Sequence, residues 1–222
     1  MKIDEKLVKS FWDNRSKLYK KIPMESIVLF KNDKDVMLRD KLLKKLLDKH
    51  IEDRMDILDL GCGVGRICKY LSKRAKNVVG IDYSQPLIDI ARKETSQKNV
   101  KYYCTNTSDF DIKNKFDVVV ICGLFNYLND DTLLKTIDGA YKHLRVGGAL
   151  LIKEPLSVEI RKEIINEYSE EIGENYSSIY RTEGEIIKLL RKNDFDILSS
   201  NKIYQHRKET AIWFIVARRC IK

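Results

Sequence analysis

The segment Ile57–Arg66, ILDLGCGVGR, limits the fold of this chain more than any other stretch. Four residues able to close a buried parallel strand run directly into glycines at alternate positions, Gly61, Gly63 and Gly65, and a helical pattern resumes near Ile67. The chain must turn there almost without side chains. Glycine permits φ > 0 and lets a ligand lie against bare backbone, and the helix start that follows presents unpaired N–H groups. The feature reads as a cradle for a small molecule.

An alternation of strands and helices surrounds it. Asp56–Leu60 reads as a strand, Arg66–Arg74 as a helix, Asn77–Ile81 as a strand and Pro86–Glu94 as a helix, with Ser84 at the N-cap position and Pro86 in the first turn. Val100–Cys104 follows as a strand, and Phe116–Cys122, FDVVVIC, is an apolar run of the kind buried on both faces. Asp131–Leu144 then carries Leu133, Leu134, Ile137, Tyr141 and Leu144 on one helical face, Arg145–Gly148 supplies turn chemistry, and Ala149–Ile152 is a fifth strand. Helical crossovers between strands imply a parallel, doubly wound α/β sheet with helices on both faces. Thr182 and Glu185 form a capping box for a helix through Lys192, and Asp196–Ser199 and Ala211–Arg218 read as an antiparallel pair that completes seven strands, the last antiparallel.

Two segments stand outside this rhythm. Residues 4–22 and 34–50 carry apolar and aromatic residues at helical spacing, including Phe11, Trp12, Tyr19 and Met37, and are expected to form an N-terminal helical cap over 1–50. Residues 156–181, rich in glutamate with tyrosines at 168, 176 and 180, are expected to be a helical insertion that serves as a lid over the strand ends. The expected layout is one domain, with a core over 51–155 and a C-terminal helix and closing strands over 182–222.

Charge is uneven along the chain. Residues 1–50 hold 14 Lys/Arg against 8 Asp/Glu, residues 201–222 hold 6 against 1, and residues 51–200 hold 22 against 24, so the positive charge behind the net +9 sits at the two ends. Were the ends to meet, they would attract an anionic substrate, a nucleotide or RNA. With no run of five or six basic residues, dispersed solvating lysines are the favoured reading, and a nucleic-acid partner is not. Five cysteines without a CxxC pair suit reduced thiols, so no structural metal is expected. No apolar run approaches the ~20 residues of a membrane span, and the charged first residues lack a signal-peptide core, which leads to an expectation of a cytoplasmic protein without a membrane partner.

Ligands of open α/β sheets lie beyond the carboxyl ends of the strands. There the chain places Asp59 and the glycine loop, Asp82 with Tyr83 and Ser84, Asn106–Asp109, Cys122–Tyr127 and Glu154. Asp82 follows Asp59 by one helix and one strand, where a carboxylate can accept both hydroxyls of a ribose. A dinucleotide loop would need a third glycine where Arg66 stands, and no second catalytic domain follows. A cationic sulfonium nucleoside, by contrast, is well served by an acid at Asp59.

The series DLGCGVGR, VVGIDYS, FDVVVICGL and LRVGGALLIKE, in that order, resembles the class I, Rossmann-like SAM-dependent methyltransferases over roughly residues 55–155. The resemblance implies S-adenosylmethionine as cofactor, with S-adenosylhomocysteine as product. It implies that Gly61, Cys62, Gly63 and Gly65 line the methionine part, that Asp59 holds the amino group, that Asp82 takes the ribose and that Asn106, Thr107 and Ser108 edge the adenine. Cys122 would line the site through its backbone, and Tyr19 in the N-terminal helix would cover the cofactor. Arg66 matches an arginine that pairs with the methionine carboxylate in some members; a solvated first-turn arginine is the equal alternative.

Where many members carry a histidine pair after the fourth strand, this chain has Asn126-Tyr127, so no general base is evident there. Members that methylate protein N-termini carry a K-D-N after strand five, where Lys153-Glu154-Pro155 stands here. Glu154 is the first candidate base, followed by Tyr127 and His206. Phe11, Trp12, Asn126, Tyr176, Tyr180 and Arg181 are the candidates for acceptor contact. The expected activity is methyl transfer to an N or O atom of a small molecule, anionic or sugar-like, by a monomer or homodimer. The rivals are an RNA or protein acceptor, or a non-catalytic SAM-binding subunit.

Overall fold

The computed structural model describes residues 2–19, 33–170, 172–205 and 207–220, with residues 33–36 by backbone alone. His206 lies outside the described residues. Helices α1 (Glu5–Ser16) and α2 (Asp33–Asp48) precede the sheet. The core then runs β1 (Asp56–Leu60), α3 (Arg66–Leu71), β2 (Asn77–Asp82), α4 (Gln85–Glu94), β3 (Val100–Cys104), β4 (Phe116–Cys122), a 3-10 turn at Phe125–Tyr127, α5 (Asp130–His143) and β5 (Leu144–Ser157). After β6 (Lys162–Ser169), β7 (Glu174–Tyr180) and α6 (Glu183–Lys192), strands β8 (Phe195–Tyr204) and β9 (Thr210–Arg219) close the sheet.

Seven strands pair in the order β3-β2-β1-β4-β5-β9-β8. The first five are parallel, and β9 runs antiparallel to both neighbours. Chain order reverses at β1, with β2 on one side and β4 on the other, so a crevice opens at the carboxyl end of β1. Both faces of the sheet are covered. Leu58, Leu60, Val119 and Ile121 pack with α5 residues Leu133 and Ile137 and α6 residue Ile186, whereas Ile57, Val118 and Val120 pack with Leu43 and Leu47 of α2 and Cys68 and Ile88 opposite. β4 alternates between these two cores, and this accounts for the unbroken apolar run in its sequence. The expected capping box is present: Glu185 N donates to Thr182 Oγ1, and Thr182 N donates to Glu185 Oε2.

The helical insertion expected over 156–181 is overturned. β6 and β7 form a separate antiparallel two-stranded sheet whose connection includes Gly173 at φ 75°. Glutamates that read as helix formers fall on the strands or in the turn, and Ile164 and Ile179 bury the inner side. Packing of alternate residues outweighs local propensity here. β5 also extends through the expected turn at Arg145–Gly148, which is accommodated as a register shift against β4, and Met37 is exposed rather than seated in the α2 core.

Polar bonds from α1 and the residues before it fix the segment across the strand ends. Asp13 Oδ1 accepts from Ser84 Oγ at 2.5 Å, and Asn129 N donates to Glu5 Oε1 at 2.9 Å. Arg15, 2% exposed, donates to Glu174 Oε1 at 3.1 Å and to the Ile172 carbonyl. These bonds tie α1 to α4, to the loop before α5 and to the β6–β7 sheet.

Candidate functional site

The turn after β1 is built from backbone. Gly61 N and Cys62 N both donate to the Ile81 carbonyl at 2.8 and 2.9 Å, which binds the loop to the end of β2. Gly61, Gly63 and Gly65 all have φ between 54° and 76°, a region side chains rarely adopt. They differ in surroundings. A Cβ on Gly65 would lie 2.7 Å from Tyr102 Cζ and closer still to its hydroxyl, whereas a Cβ on Gly63 would meet no protein atom within 4 Å. Gly65 is therefore required by packing, and Gly63 faces open cavity.

Asp82, 7% exposed, accepts from Gly63 N and Ser84 N, each at 2.9 Å. Burial, aided by the charge of Asp13, raises its pKa, so the carboxylate gains from a ligand that donates hydrogen bonds. Asp59 is 1% exposed and accepts from Cys68 Sγ at 3.2 Å; burial first, with Asp82 adding, lifts its pKa to about 7. Burial also keeps the Cys62 thiol at about 11 and the Cys122 thiol at about 12, so both are protonated packing residues.

One cavity of about 310 Å³ joins these groups. It is lined by Asp59, Gly61, Cys62, Gly63, Arg66, Asp82, Tyr83, Asn106, Thr107 and Cys122 on the glycine-loop side, and by Trp12, Asn126, Tyr127, Tyr176 and Tyr180 on the other. Trp12 meets Tyr127 edge-on with centroids 5.0 Å apart. Burial holds Tyr127 and Tyr176 above the ordinary phenol range. Burial thus keeps these hydroxyls as protonated donors and opposes the role of base expected of Tyr127.

Several expected site residues lie elsewhere. Glu154 does not line the cavity: its neighbours Lys153 and Pro155 do, and strand alternation turns Glu154 to the opposite face. There its Oε1 accepts from Leu124 N and Phe125 N at 2.7 and 3.1 Å, and burial raises its pKa to about 7. It supports the turn that carries Asn126 and Tyr127. Arg181, 1% exposed, donates to Asp130 Oδ1 and to the carbonyls of Phe125 and Leu128, so it clamps the same turn from the β7 side. Ser84 is fully buried behind Asp82, and its hydroxyl bonds Asp13 rather than capping α4. Phe11, Tyr19 and Ser108 are likewise absent from the lining.

Residues not expected at the site complete the wall: Arg39, Asp40 and Leu43 from α2, Lys153 from β5, Arg207 before β9 and Ile212 within it. Arg66 pairs with Asp40. Arg39 and Arg207, one from each basic end of the chain, both line this cavity, which the dispersed-charge reading did not anticipate. Among the described residues no cluster of three or more His, Cys, Asp or Glu could hold a metal, and no helix is long and apolar enough to cross a membrane.

A family model described as a methyltransferase domain matches residues 57–148, the stretch from β1 into β5. Over that stretch the sheet order and the glycine turn are those of an α/β methyltransferase fold. A malonyl-[acyl-carrier protein] O-methyltransferase from Bacillus anthracis is 32% identical over 97 residues, covering 43% of this chain and 35% of that protein. Phosphoethanolamine N-methyltransferase 1 from Triticum aestivum is 28% identical over 162 residues, 68% of this chain and 31% of that one. The chain thus spans about a third of the length of these relatives. The solved DhpI–SAH complex superposes with a TM-score of 0.73 at 16% identity, covering 96% of each chain.

Proposed function

We propose that this protein transfers a methyl group from S-adenosylmethionine to an N or O atom of a small acceptor, anionic or sugar-like. The observation that carries the reading is the single cavity running from Asp82 and the glycine turn to the Trp12–Tyr127–Tyr176–Tyr180 wall. It unites a nucleoside cradle with an aromatic, phenol-bearing chamber, and its volume lies at the lower end of the range for small-molecule sites.

The residues fit the cofactor. Asp82 keeps acceptor capacity for ribose hydroxyls beyond its two backbone bonds, Gly63 leaves room for the ligand where a Cβ would stand, and buried Asp59 suits a nearby ammonium. When bound, the cofactor supplies a methyl group on a sulfonium. The chain's own share is alignment, and holding an acceptor in line corresponds to as much as about 7–11 kcal/mol of barrier. Trp12 and the three tyrosines exclude water and orient the acceptor by ring faces and hydroxyls. Among the lining carboxylates and phenols no free base is evident: Glu5 bonds Asn129, Asp40 pairs with Lys44 and Arg66, burial keeps Tyr127 and Tyr176 protonated, and Asp59 and Asp82 face the cofactor side. This favours an acceptor atom whose lone pair is free before transfer, such as an uncharged amine, which sheds its proton to water afterwards, or a carboxylate oxygen.

The test is release of S-adenosylhomocysteine against a panel of small amines, carboxylates and sugars, with RNA and protein as comparison acceptors. Turnover with a small molecule supports the reading. Turnover only with RNA, with an affinity steeply dependent on salt, would transfer the activity to a polymer. Tight cofactor binding without turnover on any class would point to a non-catalytic subunit.

A further inference from the structure

Lys153 is placed unusually for a lysine. It sits near the carboxyl end of β5, in register with Cys122 of β4 on one side and Phe214 of β9 on the other, and its side chain forms part of the cavity wall. Among the described residues it makes no hydrogen bond and no ion pair, whereas its cavity neighbour Arg66 is matched by Asp40. The adjacent carboxyl makes no contact with it and acts only through space, because Glu154 points to the other face and is occupied by two backbone N–H groups. Arg39 and Arg66 add positive charge around it, and Arg207 lines the same cavity. Burial lowers its pKa from the ordinary lysine value. An ammonium kept recessed without a counter-ion is destabilising, which calls for an anion from outside the chain.

We infer that Lys153 is the seat for a carboxylate or phosphate group on the methyl acceptor. This rests on the proposed methyl transfer and specifies its substrate class. Position separates the seat from the cofactor cradle. β5 lies two strands from β1 and three from β2, so at ~4.8 Å per strand Lys153 stands about 10 Å from the glycine-loop strand and about 14 Å from the strand that ends in Asp82. A nucleoside held by its ribose at Asp82, with its amino-acid end at the glycine turn, reaches the near side of Lys153. The far side opens toward Arg207 and Ile212, where the acceptor enters. Anion on Lys153 and nucleophile near the tyrosine wall define an acceptor with two polar ends, oriented by the charged one.

The experiment is calorimetric titration of the protein saturated with S-adenosylhomocysteine, using ethyl phosphate and propionate as anionic probes and propanol as the neutral control. Wild type should bind at least one anion and not propanol. Lys153→Met should weaken the anion about ten- to a hundredfold, the loss expected for one charge-assisted hydrogen bond, with S-adenosylhomocysteine affinity changed less than twofold. Lys153→Arg should retain most of the anion affinity. Lys153→Met should also melt higher than wild type without ligand, a result that a structural lysine would not give. Equal losses of anion and S-adenosylhomocysteine affinity would assign Lys153 to the cofactor carboxylate and overturn the inference. So would unchanged anion binding in Lys153→Met, or saturated wild type that binds neither anion. Failure of wild type to bind S-adenosylhomocysteine at all would instead refute the proposed methyl transfer.

Discussion

Two glycines of one turn, Gly63 and Gly65, should fail in opposite ways when given a methyl group. Both hold positive φ, 54° at Gly63 and 75° at Gly65, so alanine at either costs about 1–2 kcal/mol of backbone strain, partly offset by the stiffer unfolded chain. At Gly65 the new Cβ would run into the ring of Tyr102, a residue 7% exposed and bonded to Thr95, so the ring cannot easily yield. Overpacking adds about 1–3 kcal/mol, for a total of about 2–4. At Gly63 the Cβ meets no protein atom, and the total stays near 1 kcal/mol. With about 2–4 °C per kcal/mol for a chain of this size, Gly63→Ala should melt within a few degrees of wild type and Gly65→Ala well below it. In binding the order reverses: Gly63→Ala, still folded, should lose at least tenfold in S-adenosylhomocysteine affinity, because its methyl group enters the space the ligand needs. Thermal denaturation and calorimetry on the two variants decide the matter. A Gly63→Ala protein with wild-type affinity would show that the open space at Gly63 is not where the cofactor lies.

Other outcomes follow from the buried charges. Asp59 and Glu154 both have folded-state pKa values raised to about 7, so the folded state binds more protons than the unfolded one between about pH 4 and 7, and their contribution to stability falls as pH rises through that window. Asp59→Asn and Glu154→Gln should each flatten that slope in denaturation curves recorded across pH, and difference curves parallel to the pH axis would refute the assignment. Arg181→Met removes the clamp between β7 and the Phe125–Tyr127 turn, leaving the Phe125 and Leu128 carbonyls without their donor and Asp130 with Arg161 alone; it should cost about 2–4 kcal/mol and disturb the tyrosine wall, and a loss below 1 kcal/mol by chemical denaturation would contradict this.

How much of this was legible in the sequence depends on what kind of signal each element carries. The parallel core was legible because FDVVVIC and the glycine turn have few other structural uses, and the Thr182–Glu185 capping box marked α6 through its own chemistry. The β6–β7 hairpin was hidden because its glutamates favour a helix in isolation and its connection, with Gly173 alone as a turn signal, lacks an Asn-Gly or Asp-Gly pair. On the cofactor side, strand ends and the glycine spacing brought Asp59, Asp82 and Thr107 into view together. Glu154 was misjudged because a strand-end carboxylate was expected to face the ligand, although period-two alternation allows only one of two neighbours to do so. Lys153, the other neighbour, stood in the sequence only as part of the string Lys153-Glu154-Pro155. Arg39 and Arg207 carried no signal, since their place on one cavity wall depends on how α2 packs against the sheet and how the β8–β9 connection runs.

The central claim is that the turn after β1, with Asp82 behind it, holds a sulfonium nucleoside. Its most direct test is the melting temperature of the wild-type chain with S-adenosylmethionine and, separately, with NAD. A ligand at a hundred times its dissociation constant adds about 2.7 kcal/mol, which for a chain of this length is a rise of about 5–10 °C. S-adenosylmethionine should produce such a rise and Asp82→Ala should abolish most of it, with NAD producing little. No shift with S-adenosylmethionine, or a larger one with NAD, would contradict the account.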